Sequence, residues 1–375
     1  MIPISTNNIK LSTGGVFAEK PHRLIGLDIL RISLAVLIYM FHSQMHFGYS
    51  YTSYLNSFVS VGAIAMTGFF LLSGYLIRFV YGSQDLMQKH NLLAFYFKRF
   101  LGIMPLYYVY AILFILIRGK ESLVDNLLLF PIEALGLQTT FTSLFRFSHN
   151  GGSWFISCIL LAHLICPFLQ MVCKQLNARH KVALLLLLIF LDIWGAVISR
   201  RFNTAWTYDN PFYRIIEFSC GLLVADINML LNNNILKIMR SKGMLFLSLI
   251  ILIVGISLMR RHFLFNDYML YNIIALPCFI FMLCALGTQR FPILEKLKWI
   301  NYAGKISYAF FLVQFFAWMF GRWIVRFVGY EANWFRIFVS FIYCLIAAIV
   351  AYELIQKPIV KWVNDKVVNK ILCKH

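Results

Sequence analysis

The sequence predicts an all-α protein: a polytopic transmembrane helix bundle of about ten transmembrane helices, with both termini cytosolic. Three observations carry this reading. Of 375 residues, 61% are hydrophobic and only 13% charged, where soluble domains carry about 25% charged residues. Ten apolar windows reach the roughly 20 helical residues that cross a hydrocarbon core about 30 Å thick. Lys and Arg divide unequally between the loops on the two sides.

The ten windows run 24–47, 57–80, 96–117, 153–173, 182–199, 212–231, 243–259, 268–287, 304–325 and 335–356. The first is expected to be retained, because Met1 to Lys20 is polar and holds no signal-peptide core ahead of a small-residue cleavage site. Between the third and fourth, Leu123 to Leu137 is interrupted by Asp125, Pro131 and Glu133, and reads as an interfacial or re-entrant segment. No repeat or low-complexity linker divides the chain. Residues 1–375 are expected to form one membrane domain, with a polar tail at 1–20 and a basic tail at 358–375.

The formal charge is +19. Its cations cluster at the ends of the apolar windows, where lipid headgroups would meet them. No RNA- or DNA-binding motif accompanies them, so the lipid bilayer is the expected partner and nucleic acid is not. With the N-terminus cytosolic, 22 Lys and Arg fall on the cytosolic side and 11 on the other, Arg31 inside the first helix being counted with neither. The eight cysteines form no CxxC pair and lie mostly in apolar windows. They read as small buried hydrophobes, without a disulfide or metal framework.

Ionisable groups inside a span cost several kcal/mol unless paired or wetted, so each raises a functional question. The first helix carries Asp28, Arg31, His42 and His46. Eleven residues separate Arg31 from His42, which makes three turns plus about 20°, so both project from one face about 16 Å apart. Asp28 stands one turn before Arg31, close enough to pair with it. An imidazole exchanges protons near neutral pH, and a buried guanidinium holds phosphate or carboxylate oxygens. The structural alternative is an interfacial ion pair with a core histidine.

These residues open a wider resemblance. Leu27-Asp28-Ile29-Leu30-Arg31 with His42 resembles the first signature of the acyltransferase-3 family of membrane acyltransferases. Phe69 to Leu76 resembles that family's FFxLSGYL, and Phe97-Lys98-Arg99 with Pro105 its basic motif. Gly152-Ser153-Trp154 with Pro167, Arg214-Ile215-Ile216-Glu217-Phe218 with Gly221, Gly304 to Tyr308, and Lys357-Pro358 follow in the family's order. The resemblance implies a multi-spanning enzyme of bacterial envelopes, in the inner membrane. It would move an acyl group, usually acetyl from acetyl-CoA, to hydroxyls of glycans or lipid-linked sugars. His42 would be the catalytic histidine, with Arg31 its companion, and Lys98 and Arg99 a grip for CoA phosphates; Asp28, by its place one turn before Arg31, would orient that guanidinium. Four positions depart from the family's usual pattern. Gly102 stands where the basic motif often has Arg, and Ile159 where many members have Glu. Gln314 stands in place of a late His, and Gln356 in place of the Glu before the terminal Lys-Pro. These changes remove titratable groups and throw weight on His42.

Further candidates keep two readings each. Trp154 either stacks on an acceptor sugar or anchors in lipid. Glu217 either pairs with Arg214 or contacts the acceptor hydroxyl. Ser307 and Tyr308 either cap the ninth helix or line the CoA entrance. Ser73 adjoins the acceptor region, with Gly74 permitting close helix contact. Arg78 is a third candidate for the CoA phosphates. His163 either faces a cavity or is a satisfied core histidine, and His149 is a far-side candidate. The expected reaction needs acetyl-CoA as donor and no metal. A transporter of an envelope precursor and a scaffold subunit stand as alternatives from other functional classes.

Overall fold

A span in lipid must satisfy its backbone internally, and a helix does so with its own i to i−4 bonds. The computed structural model describes residues 24–118, 123–140, 151–202, 207–231, 234–263 and 267–368. His149, Cys373 and the polar tail at 1–20 lie outside these residues. The described chain is helical, with no strand. Its elements are α1 (Ile25–Phe47), α2 (Ser53–Val59), α3 (Ala65–Tyr81), α4 (Lys89–Arg118), α5 (Leu123–Ala134), α6 (Trp154–Gln175) and α7 (Ala178–Arg201). There follow α8 (Pro211–Leu230), α9 (Asn234–Met239), α10 (Lys242–His262), α11 (Asn272–Leu286), α12 (Pro292–Glu295), α13 (Lys298–Val328) and α14 (Asn333–Lys366).

Among the described residues, nine helices are long and apolar enough to cross a membrane, and α8 is not one of them. It has the length, at 20 residues, but carries Arg214, Glu217 and Asp226. Helix directions show that it crosses nonetheless. α1 and α13 run parallel, because Arg31 meets Gly304 and His42 meets Gln314. Without α8 as a crossing, α13 would be the eighth span and oppose the first. α3 and α8 are likewise parallel, with Thr67 on Arg214 and Arg78 on Asp226. α5, with 12 residues, spans only about 18 Å and is too short to cross, as its interfacial reading expects.

The bundle is built around α3 and α8. A Cβ on Gly74 would lie 1.9 Å from the Phe218 carbonyl oxygen, and one on Gly221 1.9 Å from that of Leu71. Two glycines therefore let the backbones touch, the close contact expected at Gly74. In α3, 83% of the apolar window is buried, against 11% in α7. The outer face of α7, with Leu186, Leu187, Phe190 and Trp194, is exposed apolar surface of the kind that meets lipid. α1 packs on α3 and α13, α3 on α8, α8 on α6, α6 on α4, and α4 on α13. These contacts close a ring of helices.

The stretch expected as a basic tail from 358 begins instead as helix. α14 continues to Lys366, and Ile359 and Val363, one turn apart, pack with Ala94 and Leu101 of α4. All seven described cysteines are buried and free, as small apolar residues would be.

Candidate active site

α1 turns both of its key side chains toward α13. Arg31 is 4% exposed. Its Nη1 lies 3.6 Å from Asp28 Oδ1 and donates to the Gly304 carbonyl at 3.5 Å. A Cβ on Gly304 would stand 2.8 Å from Asp28 Oδ1, so the glycine is what lets the ion pair sit against the α13 backbone.

Three turns further along, His42 Nδ1 and Gln314 Oε1 are 2.9 Å apart. A carbonyl oxygen only accepts, so with Oε1 facing the ring Nδ1 carries the hydrogen and Nε2 keeps its lone pair. His42 is half-buried. The His46 ring stands 5.6 Å from it. Phe311 on α13 links His42 to Phe155 on α6, with ring centroids 6.4 Å and 5.4 Å apart.

The basic residues at the other end divide. Lys98 is half-buried, whereas Arg99 turns inward over the rings of Tyr81 and Phe95, 5.1 Å and 5.5 Å from their centroids. Arg78 is engaged within the protein: Nε donates to Asp226 Oδ1 at 2.8 Å, and Nη1 to the Gly82 carbonyl at 2.8 Å. Lys181 holds the other Asp226 oxygen at 2.6 Å. Ser307 does not cap its helix, because α13 begins nine residues earlier at Lys298. Its hydroxyl donates instead to the Gly304 carbonyl at 2.9 Å. Tyr308 ties α13 to α4 by donating to the Ile103 carbonyl at 2.9 Å.

Trp154, Glu217 and Ser73 lie in the centre of the bundle. Trp154 is buried rather than lipid-facing; the Arg214 guanidinium stands 5.3 Å from its ring centroid, and the Tyr208 ring 4.9 Å away. Glu217 takes two bonds from Arg214 Nη1, at 2.9 Å and 2.7 Å. Asn272 Nδ2 donates both to Glu217 at 3.0 Å and to Asp192 at 2.8 Å. Arg214, Glu217, Asp192 and Asn272 have no exposed surface. Ser73 is buried one residue before the Gly74 crossing. In the loop leading into α8, burial pushes the Asp209 carboxyl above its usual range, opposed by its own backbone N–H and by Arg214.

Two of the sequence's departures face each other. Gln356, in a π-helical turn of α14 (Tyr352–Gln356), donates from Nε2 to the Gly102 carbonyl of α4 at 3.5 Å. Where the resembled pattern has an Arg and a Glu, this chain has a neutral pair in contact. Asp192, Asp226, Lys181 and Asn272 went unselected in the sequence, and Gln314 entered only as a departure from the resembled pattern. Asp192 and Asp226 lie inside apolar windows, so the rule on intramembrane charge applies to them as much as to α1.

The acyltransferase-3 family model, described as an acyltransferase domain, matches residues 24–353. The chain belongs to the acyltransferase-3 family. It is therefore a multi-spanning membrane acyltransferase, and every motif of the sequence but the terminal Lys357-Pro358 lies within the matched region. No curated protein and no solved structure matches the chain.

Proposed function

We propose that this acyltransferase moves an acyl group, most simply acetyl, from cytosolic acyl-CoA to a hydroxyl of an envelope or surface glycan. The observation that carries the reading is the α1–α13 pair. One helix presents a guanidinium and, about 16 Å along, an imidazole; the other supports both. His42 Nε2 takes the proton of the acceptor hydroxyl as its oxygen attacks the thioester carbonyl. The C–S bond then breaks, and CoA leaves as the thiolate, which is protonated by the imidazolium. Gln314 Oε1 accepts from Nδ1–H throughout and steadies the imidazolium. Arg31, oriented by Asp28, positions the donor on the side toward Lys98, Arg99 and Arg78. Ser307 and Tyr308 border the donor's path, and the acceptor approaches the side of Trp154, Glu217 and Ser73. No metal enters this scheme.

The excess of Lys and Arg on the N-terminal side supports a cytosolic face there, in the inner membrane of a bacterial cell. His42→Ala should lower acetyl transfer at least ~100-fold, the usual worth of a general base, while the protein still inserts. Mass analysis of surface glycans from cells with the wild-type and variant proteins checks this. A glycan mass that gains one acyl group equally in both would overturn the assignment.

A further inference from the structure

Three buried side chains between α3, α4 and α6 have polar atoms with no hydrogen-bond partner among the described residues. They are Arg99 Nε, both ring nitrogens of His163, and Gln170 Oε1. Their residues are 7%, 5% and 2% exposed. Neither ring nitrogen of His163 is bonded to a described residue. The three form one cluster around two rings. Arg99 lies over both Tyr81 and Phe95, whose centroids are 5.3 Å apart. The His163 ring meets Phe95 edge-on at 6.4 Å and Phe218 at 6.1 Å. Gln170 Nε2 donates to the Tyr81 carbonyl at 2.5 Å. His163 and Gln170 are seven residues apart on α6, hence on one face and about 10 Å apart.

Buried polar atoms in folded proteins are overwhelmingly bonded, so a group of four points to a ligand. Its chemistry can be read from the atoms. Arg99 offers an N–H, Gln170 offers an acceptor oxygen, and His163 offers one of each. A secondary amide, with its C=O and N–H, answers this set. An alkyl chain would satisfy none of these atoms. The pantetheine arm of CoA carries two secondary amides between its nucleotide and its sulfur. We propose that Arg99, His163 and Gln170 bind this arm, walled by Tyr81 and Phe95, and so hold the thioester in the interior of the bundle. The proposal rests on the acyl-CoA reading above and adds binding residues on α6 that it did not contain.

The test is calorimetric binding to the full-length protein in nanodiscs. The probes are CoA, pantetheine, and adenosine 3′-phosphate 5′-diphosphate, which keeps the nucleotide and lacks the arm. His163→Phe and Gln170→Leu should each weaken CoA about tenfold, the loss of one good hydrogen bond, and leave the nucleotide probe within twofold. His163→Gln, which keeps a donor and an acceptor, should stay within about threefold of wild type. Pantetheine should compete with CoA on the wild-type protein, a result that needs no variant to fold. Unchanged CoA affinity in both apolar variants, or no competition by pantetheine, overturns the proposal. An equal loss for the nucleotide probe overturns it too, by placing the nucleotide in the cluster. Failure of the wild-type protein to bind CoA at all would instead overturn the donor reading itself.

Discussion

Gln314 shows what one side chain can decide. Its amide oxygen, set against Nδ1, fixes the tautomer of His42 and leaves Nε2 as the basic nitrogen. A hydrogen bond to a group that becomes charged is worth about 1.5–3 kcal/mol, or roughly ten- to a hundredfold in rate. Gln314→Leu should therefore lower turnover by that factor at unchanged expression, whereas Gln314→His, which restores an acceptor nitrogen, should retain most of it. Steady-state transfer in membranes separates the two. Glu217→Ala should act differently, leaving Arg214 buried with its carboxylate gone at roughly 3–5 kcal/mol. The expected result is a marked fall in the thermal midpoint in detergent, not a selective loss of turnover. At this scale the sequence was half legible. Periodicity alone put Arg31 and His42 on one face, because both lie on one helix. It could not reach Gln314, 272 residues away, or find the Asp226 partner of Arg78, 148 residues later.

Among the helices, the α3–α8 crossing is the least forgiving feature. A Cβ at Gly74 or Gly221 would fall within 1.9 Å of a backbone carbonyl oxygen on the facing helix. Backbone cannot rotate aside as a side chain can, so Gly74→Val must part the two helices at roughly 3 kcal/mol or more. Thermal unfolding in detergent should show a midpoint several degrees lower, and Gly243→Ala, with only the flexible Ser241 Oγ at 3.8 Å, should not move it. The contact of Gln356 with Gly102 makes a second claim at this scale. Gly102→Arg alone buries an unpaired cation, and Gln356→Glu alone a buried anion. The double variant should recover stability that each single loses, which a thermal double-mutant cycle would measure. Hydropathy made the existence of each span legible, because length and apolarity are local properties, though α3 begins at Ala65 where the window began at 57, and α4 at Lys89 where it began at 96. The continuation of α14 past Pro358 was not, because it is held by Ala94 and Leu101 on another helix.

For the whole molecule, α1 runs parallel to α13 and α3 to α8, and the charge bias of the loops puts the N-terminal side in the cytosol. Reporter fusions after residue 368 should show the activity of a cytosolic tag; an active periplasmic reporter there would reverse the charge-based orientation. The polar knot around Arg214 has a further consequence, for how the chain is made. α8 brings Arg214, Glu217 and Asp226 into the bilayer, at about 2.5–3.5 kcal/mol for each charge that meets lipid. Its partners Thr67 and Arg78 lie on α3, already synthesised, but Asn272 on α11 has yet to emerge when α8 leaves the ribosome. The translocon is therefore expected to pass α8 to α3 and to α7, whose Lys181 holds Asp226, rather than to lipid, so that its membrane integration depends on helices made before it.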